Sequence, residues 1–232
     1  MMRQVQPEIL DNLPPDDPGA VRSRKDLRLI NVLMNHTRLL RRAIHPQIHR
    51  GNALRVFETG AGDGSLAGKI WKDWGAVPKG SRIDFVDKAG CLSPEVKAPL
   101  ELLGWEIREY ACDVFEWVKD APKDYDIGYS SLFLHHFEDE DLRRLLRGLS
   151  RLAPRFICAE PRRDRWGLMG ATGLRLLGCN EITLNDSKIS VRAGFHGQEL
   201  SSIWNSMIES GWQISERRAG LFTHFFSAIR SQ

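Results

Sequence analysis

Short apolar runs alternate with stretches of helical spacing along most of the chain. The runs predict five strands, at residues 54–58, 82–87, 105–110, 126–133 and 155–160. Helical spacing or helix-forming residues follow at 66–74, 100–103, 113–118 and 138–152. Strands that alternate with helices favour an α/β fold, in which helices cover both faces of a mostly parallel sheet.

The two ends of the chain depart from this alternation. Residues 1–20 are rich in proline and acids and predict an irregular arm. Apolar positions at helical spacing predict one helix over 21–44, followed by Pro46. Near the other end, a helix is predicted over 197–211, and strands over 212–217 and 222–230. The gap between these strands is too short for a parallel crossover, so they are expected to pair as an antiparallel hairpin.

The composition is that of an ordinary globular chain. Its 232 residues, 42% hydrophobic and 27% charged, fit a single domain over 21–232. A net charge of +3 does not require a nucleic-acid partner. We expect a cytoplasmic protein without a transmembrane segment, because no apolar run approaches the roughly 20 residues of a membrane span. Four widely spaced cysteines, with no C-x-x-C pair, argue against a metal site: Cys91, Cys112, Cys158 and Cys179.

A glycine-rich turn follows the first predicted strand. Gly60, Gly62 and Gly64 allow the backbone to approach a ligand closely. The dinucleotide fingerprint Gly-x-Gly-x-x-Gly is not matched, since Ser65 stands at its last position. Glu58, directly before the turn, suits a ligand with a cationic end better than a pyrophosphate. A turn needed only for packing is the alternative.

Two further acids follow the next two strands. Asp87 ends the second strand, where a carboxylate can bind ribose hydroxyls. Asp113 follows the third, where it can accept from an adenine amino group, with Cys112 or Val114 against the ring. Either acid alone is more often a surface acid or a helix cap. Their joint placement at carboxyl ends of strands indicates a nucleoside-containing ligand.

These motifs resemble those of class I S-adenosylmethionine-dependent methyltransferases, over nearly the whole chain. The resemblance implies a Rossmann-like three-layer sandwich with a seven-stranded sheet of order 3-2-1-4-5-7-6, and S-adenosylmethionine as cofactor. The residues that match the family's cofactor motifs are Glu58, Thr59, Gly60, Ala61, Gly62, Asp87, Lys88, Cys112, Asp113, Val114 and Ser130.

Residues 130–137, Ser-Ser-Leu-Phe-Leu-His-His-Phe, resemble a motif of small-molecule methyltransferases of the quinone-biosynthesis type. A narrower resemblance, to bacterial methyltransferases found beside type III polyketide synthases, rests on residues 26–31, 160–163 and 190–195. It implies a phenolic, quinone-like or polyketide acceptor, methylated on oxygen or carbon. Residues 163–196 are expected to form a lid; a helix on a membrane surface around Arg175 is the alternative.

His135 and His136 are the candidate catalytic residues. A phenol has a pKa of about 10 and must lose its proton, which a histidine can accept. Both histidines follow the fourth strand, close to the expected methyl group. The alternative is that they pack or cap the helix that follows.

Two other functions remain open at this stage. One is a nicotinamide-dependent oxidoreductase, against which Ser65 and the terminal hairpin both argue. The other is a non-catalytic module of the same fold that binds a partner. The chain can act as a monomer or as a homodimer.

Overall fold

One seven-stranded sheet organises the part of the chain that the computed structural model describes, residues 1–14, 16–47, 51–90, 92–208 and 210–231. Its strands are β1 (Arg55–Thr59), β2 (Arg82–Asp87), β3 (Glu106–Ala111), β4 (Ile127–Ser131), β5 (Arg155–Pro161), β6 (Trp212–Ala219) and β7 (Thr223–Arg230). Their order is β3-β2-β1-β4-β5-β7-β6. β1 to β5 are parallel, and β7 is antiparallel to both β5 and β6. The expected sheet order and the terminal hairpin are confirmed.

Helices cover both faces of this sheet. They are α1 (Pro18–Leu33), α2 (His36–Ile44), α3 (Ser65–Trp71), α4 (Pro94–Leu102), α5 (Val114–Asp120), α6 (Asp139–Leu152), α7 (Arg165–Gly173), α8 (Glu181–Ala193) and α9 (Glu199–Met207). Short 3-10 helices lie at Leu10–Asn12, His45–Gln47, Leu134–His136 and Leu174–Leu177. Each described helix is too short or too polar to cross a bilayer.

Alternate residues of the central strands pack into two separate cores, one on each face of the sheet. In β1, Val56 packs with the residues of α2 and α3, while Phe57 packs with those of α5, α6 and α9. This follows from the two-residue period of a strand. Gly128 in β4 leaves the space that the Phe57 ring fills, because a Cβ there would overlap the ring. The strands are therefore held rigidly, and their carboxyl ends are fixed positions for a site.

The predicted N-terminal helix is divided in two. α1 begins at Pro18 rather than at residue 21, because the Asp17 side chain caps it by accepting from the Ala20 amide at 3.0 Å. It ends at Leu33, and α2 begins at His36. Asn35 between them has a φ of 57°, a left-handed conformation that asparagine adopts more readily than most residues. The prediction of one continuous helix over 21–44 is therefore wrong.

The N-terminal arm is mostly irregular, and it is docked on the rest of the chain. The Arg3 guanidinium donates to the carbonyl oxygens of Phe137 at 2.7 Å and Ala193 at 2.8 Å. The Asp186 carboxylate in α8 accepts from the amides of Ile9 and Leu10, both at 3.0 Å. These contacts hold the arm against the end of the molecule where β4 and β5 finish.

The segment expected to form a lid, 163–196, contains α7, the 3-10 helix Leu174–Leu177 and α8. Asn180 caps α8 by accepting from the Thr183 amide at 2.8 Å. Three cysteine thiols, Cys112, Cys158 and Cys179, are free; Cys91 lies outside the described residues.

Candidate active site

A cavity of about 1280 Å³ opens at the carboxyl ends of β1 to β5. Its floor consists of residues that follow these strands, and its walls come from the N-terminal arm, α1, α7 and α8. The sheet order reverses between β1 and β4, and ligands of open α/β sheets bind at such a point. The cavity therefore lies where the fold favours a binding site.

The glycine turn after β1 borders this cavity. Gly60 and Gly62 have φ values of 68° and 53°, in the left-handed region that favours glycine. A Cβ at Gly60 would overlap the Phe133 ring, so glycine is needed there for packing. At Gly62, a Cβ would meet no heavy atom of the described residues within 4 Å and would project into open space. Ala61, between them, also lines the cavity.

Asp87, the last residue of β2, fixes the shape of this turn. One carboxylate oxygen accepts from the Gly62 amide at 2.9 Å, and the other accepts from the Ala89 amide at 2.8 Å. Because a carboxylate has about four acceptor positions, Asp87 retains capacity for ligand hydroxyl groups. The residue lines the cavity.

Asp113 borders the cavity after β3 and caps α5. Its side chain accepts from the Phe115 amide at 2.8 Å and lies 2.8 Å from Lys88 Nζ. Burial opposes its ionisation, but the hydrogen bonds from Lys88 and Phe115 lower the pKa of Asp113. Lys88, Cys112 and Val114 also line the cavity. This corner therefore combines a fixed negative charge with a small apolar surface.

The carboxyl group of Glu58 lies at the cavity. None of the described residues that contact it carries a positive charge. Glu58 is 1% exposed, and the Tyr129 hydroxyl donates to it at 3.1 Å. Burial, which the Tyr129 hydrogen bond only partly offsets, raises the pKa of Glu58 to about 8. The nearby negative charges of Asp63 and Asp87 act in the same direction. A bound cationic group would stabilise its ionised form.

Thr59 and Ser130, two further expected cofactor residues, lie within β1 and β4. Both are fully buried, and neither belongs to the residues that line the cavity. Their hydroxyl oxygens have no hydrogen-bond partner within the described residues. The structure thus brings nine of the eleven expected cofactor residues to the cavity wall and leaves these two in the sheet.

His135 is held between two carboxylates at the end of β4. Its Nδ1 lies 2.8 Å from Glu160 Oε2, and its Nε2 lies 3.5 Å from Glu8 Oε1 of the N-terminal arm. Glu160 is fixed in turn, because its other oxygen accepts from the amides of Phe133 and Leu134. Burial opposes the charge, but the two carboxylates raise the pKa of His135 to about 9. The ring is therefore a cation at neutral pH.

His136 lies against the His135 ring, with ring centroids 4.3 Å apart, and also lines the cavity. Its Nδ1 is 3.6 Å from Asp11 Oδ2. Burial and the positive charge of His135 lower the pKa of His136. His136 is therefore neutral at physiological pH, and a neutral imidazole can accept a proton.

Several polar cavity residues were not anticipated from the sequence, among them Glu8, Asp11, Arg24 and Asn31. Arg24 and Asn31 lie on the face of α1 that also presents Leu27 to the cavity. The Asn31 amide oxygen is buried and lacks a hydrogen-bond partner in the described part of the chain. The sequence does contain one signal for Arg24 and Asn31, because both are polar residues at helical spacing within an apolar face. Nothing local in the sequence shows where the arm, with Glu8 and Asp11, will dock.

No family model and no curated protein sequence matches the chain. Solved structures are similar in fold. One is a protein of Nostoc punctiforme to which O-methyltransferase activity is attributed (TM-score 0.60, 14% identity, 96% of this chain and 64% of that one). Another is the mitomycin 7-O-methyltransferase MmcR (TM-score 0.57, 18% identity, 96% and 60%). A third is the plantazolicin methyltransferase BamL, in complex with SAH and a triazolic desmethylPZN analogue (TM-score 0.59, 11% identity, 96% and 93%).

The chain spans less than two thirds of the length of the first two of these proteins and nearly all of the third. At such low identity, the likeness shows the fold.

Proposed function

We propose that this chain, which has the fold of class I S-adenosylmethionine-dependent methyltransferases, transfers a methyl group from S-adenosylmethionine to a small-molecule acceptor. The observation that carries the proposal is the meeting of Glu58, Gly62, Asp87 and Asp113 in one cavity. These residues lie at or just after the carboxyl ends of three neighbouring strands. A ligand that contacts all of them must have a cationic group for Glu58 and hydrogen-bonding groups for Asp87 and Asp113.

The chemistry of the cavity wall suits S-adenosylmethionine. Glu58 would hold the ammonium group, because a cation offsets the cost of its buried negative charge. Asp87 would bind the ribose hydroxyls with its remaining acceptor positions. Asp113, with Cys112 and Val114, would hold the adenine. When bound, the cofactor supplies an electrophilic methyl group on a sulfonium.

Lys88 and the backbone of the glycine turn complete the proposed cofactor site. Lys88 holds Asp113 ionised, and Gly60, Ala61 and Gly62 let the main chain approach the cofactor. Thr59 and Ser130 are fully buried within the sheet and are not proposed to contact the ligand.

The acceptor is proposed to be phenolic, quinone-like or polyketide in nature. The cavity exceeds the roughly 300–1,000 Å³ of a pocket for one small molecule, which leaves room for two ligands. Beyond the cofactor motifs, its wall includes apolar residues such as Met34, Leu132, Phe137, Leu174 and Phe222. A planar apolar ring with a few polar substituents fits such a wall. α7 and α8 act as the lid that excludes water from the reaction.

His136 is proposed as the base that takes the proton of a phenolic acceptor. It is neutral and lines the cavity, whereas the charged His135 has no nitrogen free to accept a proton. His135 is then a positioning residue, which fixes the His136 ring and keeps it neutral. A nicotinamide oxidoreductase is not favoured, because the solved structures of similar fold are methyltransferases.

Calorimetric titration with S-adenosylhomocysteine tests the cofactor site. We expect micromolar binding by the wild-type protein. Asp87→Ala should weaken it about ten- to a hundredfold, because hydrogen bonds to a charged group contribute about 1.5–3 kcal/mol. Asp120→Ala, at an exposed aspartate away from the cavity, is the matched control and should bind normally. The absence of binding at millimolar ligand, or normal binding by Asp87→Ala, would contradict the proposal.

A further inference from the structure

Large apolar side chains are exposed around the mouth of the cavity. Trp166 and Met169 in α7 are 53% and 61% exposed, and Leu176 in the following 3-10 helix is 91% exposed. Leu177 and Leu221, the latter in the turn between β6 and β7, are about half exposed. We refer to these five residues as the apolar rim. Single exposed apolar residues are normal on a protein surface, but a cluster indicates a binding surface.

The members of the apolar rim lie on one side of the molecule. Trp166, Met169 and Gly170 share a face of α7, because residues three and four apart are neighbours on a helix. Gly170 packs against the Phe222 ring, which places this face beside the turn that carries Leu221. The Phe222 carbonyl also accepts from the Arg162 amide at 2.8 Å, just before α7. The helix and the turn are therefore fixed to each other.

This surface is continuous with the cavity. The cavity lining includes Leu177, which is itself a member of the apolar rim. It also includes three residues that are one or two positions along the chain from a rim member: Gly170, Leu174 and Phe222. A compound that rests on the rim is thus next to the entrance of the proposed acceptor site.

The charged side chains within the two segments that carry the rim are all positive. Residues 165–178 and 217–222 contain four arginines and no acid. All four side chains are exposed: Arg165, Arg175, Arg217 and Arg218. Arg218 also interacts electrostatically with Asp164, directly before α7, so its charge lies beside this surface. Arg217 precedes it in β6 and points to the other face of the sheet, with its guanidinium over the Phe225 ring. A partner for this surface should be apolar at its centre and negative at its edge.

We propose that the apolar rim, with Arg165, Arg175 and Arg218, forms a docking surface for an anionic lipid bilayer. A helical segment with exposed Trp and Leu inserts its apolar side at the level of the headgroups, while the arginines contact lipid phosphates. A second copy of this chain fits less well, because a two-fold contact would bring six arginines together. Lipophilic acceptors would then enter the cavity from the bilayer. This route rests on the proposed function, whereas the docking itself does not.

Cosedimentation with lipid vesicles tests the docking surface. We expect the full chain to bind phosphatidylglycerol vesicles, to bind phosphatidylcholine vesicles at least tenfold more weakly, and to dissociate as salt is raised. The double variant W166S/L176S should lose at least tenfold in binding to phosphatidylglycerol. Arg165→Gln and Arg175→Gln should each lose about fivefold, which corresponds to about 1 kcal/mol per charge near the surface.

Leu102→Ser is the matched control, because Leu102 is 87% exposed in α4 and lies outside the rim. It should bind vesicles as the wild type does, and thermal unfolding should show that all variants are folded. No binding to anionic vesicles, equal losses in the rim and control variants, or a dimer that W166S/L176S dissociates would overturn the proposal. Vesicle binding without S-adenosylhomocysteine binding would contradict the proposed function and leave the docking surface supported.

Discussion

At the scale of single residues, Glu58 is expected to couple cofactor binding to proton release. Its pKa of about 8 means that it is largely protonated at pH 7. A bound ammonium favours the ionised form, so binding of S-adenosylhomocysteine at pH 7 should release about one proton. Affinity should therefore rise with pH up to about 8 and then level off. Titrations in buffers of different ionisation enthalpy measure this proton directly.

Glu58→Gln is the informative variant, since the amide keeps an oxygen for the Tyr129 hydroxyl but cannot ionise. This variant should bind S-adenosylhomocysteine more weakly than the wild type does, and without releasing a proton. Equal proton release by the wild type and this variant would show that Glu58 does not titrate on binding.

His136 should control the pH dependence of phenol methylation. Because burial and His135 lower its pKa, the rate should reach half of its maximum at a pH below the ordinary histidine value of 6.5. At pH 7, His136→Asn should reduce kcat about 10²- to 10⁴-fold, the usual contribution of a general base. The rate should recover towards pH 10 as the phenol itself ionises. His196→Asn, at an exposed histidine, should have a normal profile. A loss in His136→Asn that is independent of pH would exclude the role of base.

At the scale of elements, His36 docks α2 onto the sheet. Its Nδ1 lies 2.8 Å from the Ser131 hydroxyl and its Nε2 lies 3.0 Å from the Thr223 hydroxyl, at the ends of β4 and β7. Thr223 donates its own proton to the Met34 carbonyl at 3.2 Å, so Nε2 must carry the proton. The buried ring is therefore a neutral imidazole with a defined tautomer.

This arrangement predicts acid destabilisation. Burial lowers the pKa of His36 from 6.5 to about 4, so the unfolded state binds the extra proton between these values. The contribution of His36 is present above pH 6.5 and is lost as the pH falls towards 4. Over that range it should remove about 3 kcal/mol from the free energy of unfolding, at about 1.4 kcal/mol per pKa unit.

Urea unfolding at pH 7 and at pH 4.5 measures this loss. His36→Gln should be less stable at pH 7 and should lose less stability on acidification than the wild type. His196→Gln should behave like the wild type. The same pH dependence in all three proteins would contradict the assignment of a neutral, buried His36.

Element by element, the sequence predicts strands better than helices. β2 has the predicted bounds, because its residues form a nearly continuous buried run. β4 ends two residues early, where Leu132 adopts a φ of 53°. α8 escapes prediction as a helix because some of its buried positions are polar: Thr183 donates to Asp26, and Asp186 accepts from the arm. Such tertiary partners leave no apolar periodicity to detect.

At the scale of the whole molecule, the alternation of strands and helices predicts the sheet, and the short terminal gap predicts its hairpin. The acids of the site are predictable for the same reason, since the carboxyl ends of parallel strands meet at one edge. Glu8 and Asn31 are not, because they reach the cavity through the packing of the arm and α1. Thr59 and Ser130 match the family's motif, but both are fully buried within the sheet and do not line the cavity.

A crystal structure of the protein with S-adenosylhomocysteine bound is the most direct test of the central claim. We predict the ligand in the cavity at the carboxyl ends of β1 to β5, with its amino group beside Glu58, its ribose on Asp87 and its adenine against Asp113. Density for the ligand elsewhere, or a saturated crystal in which this cavity stays empty, would contradict the assignment of the cofactor site and with it the proposed methyl transfer.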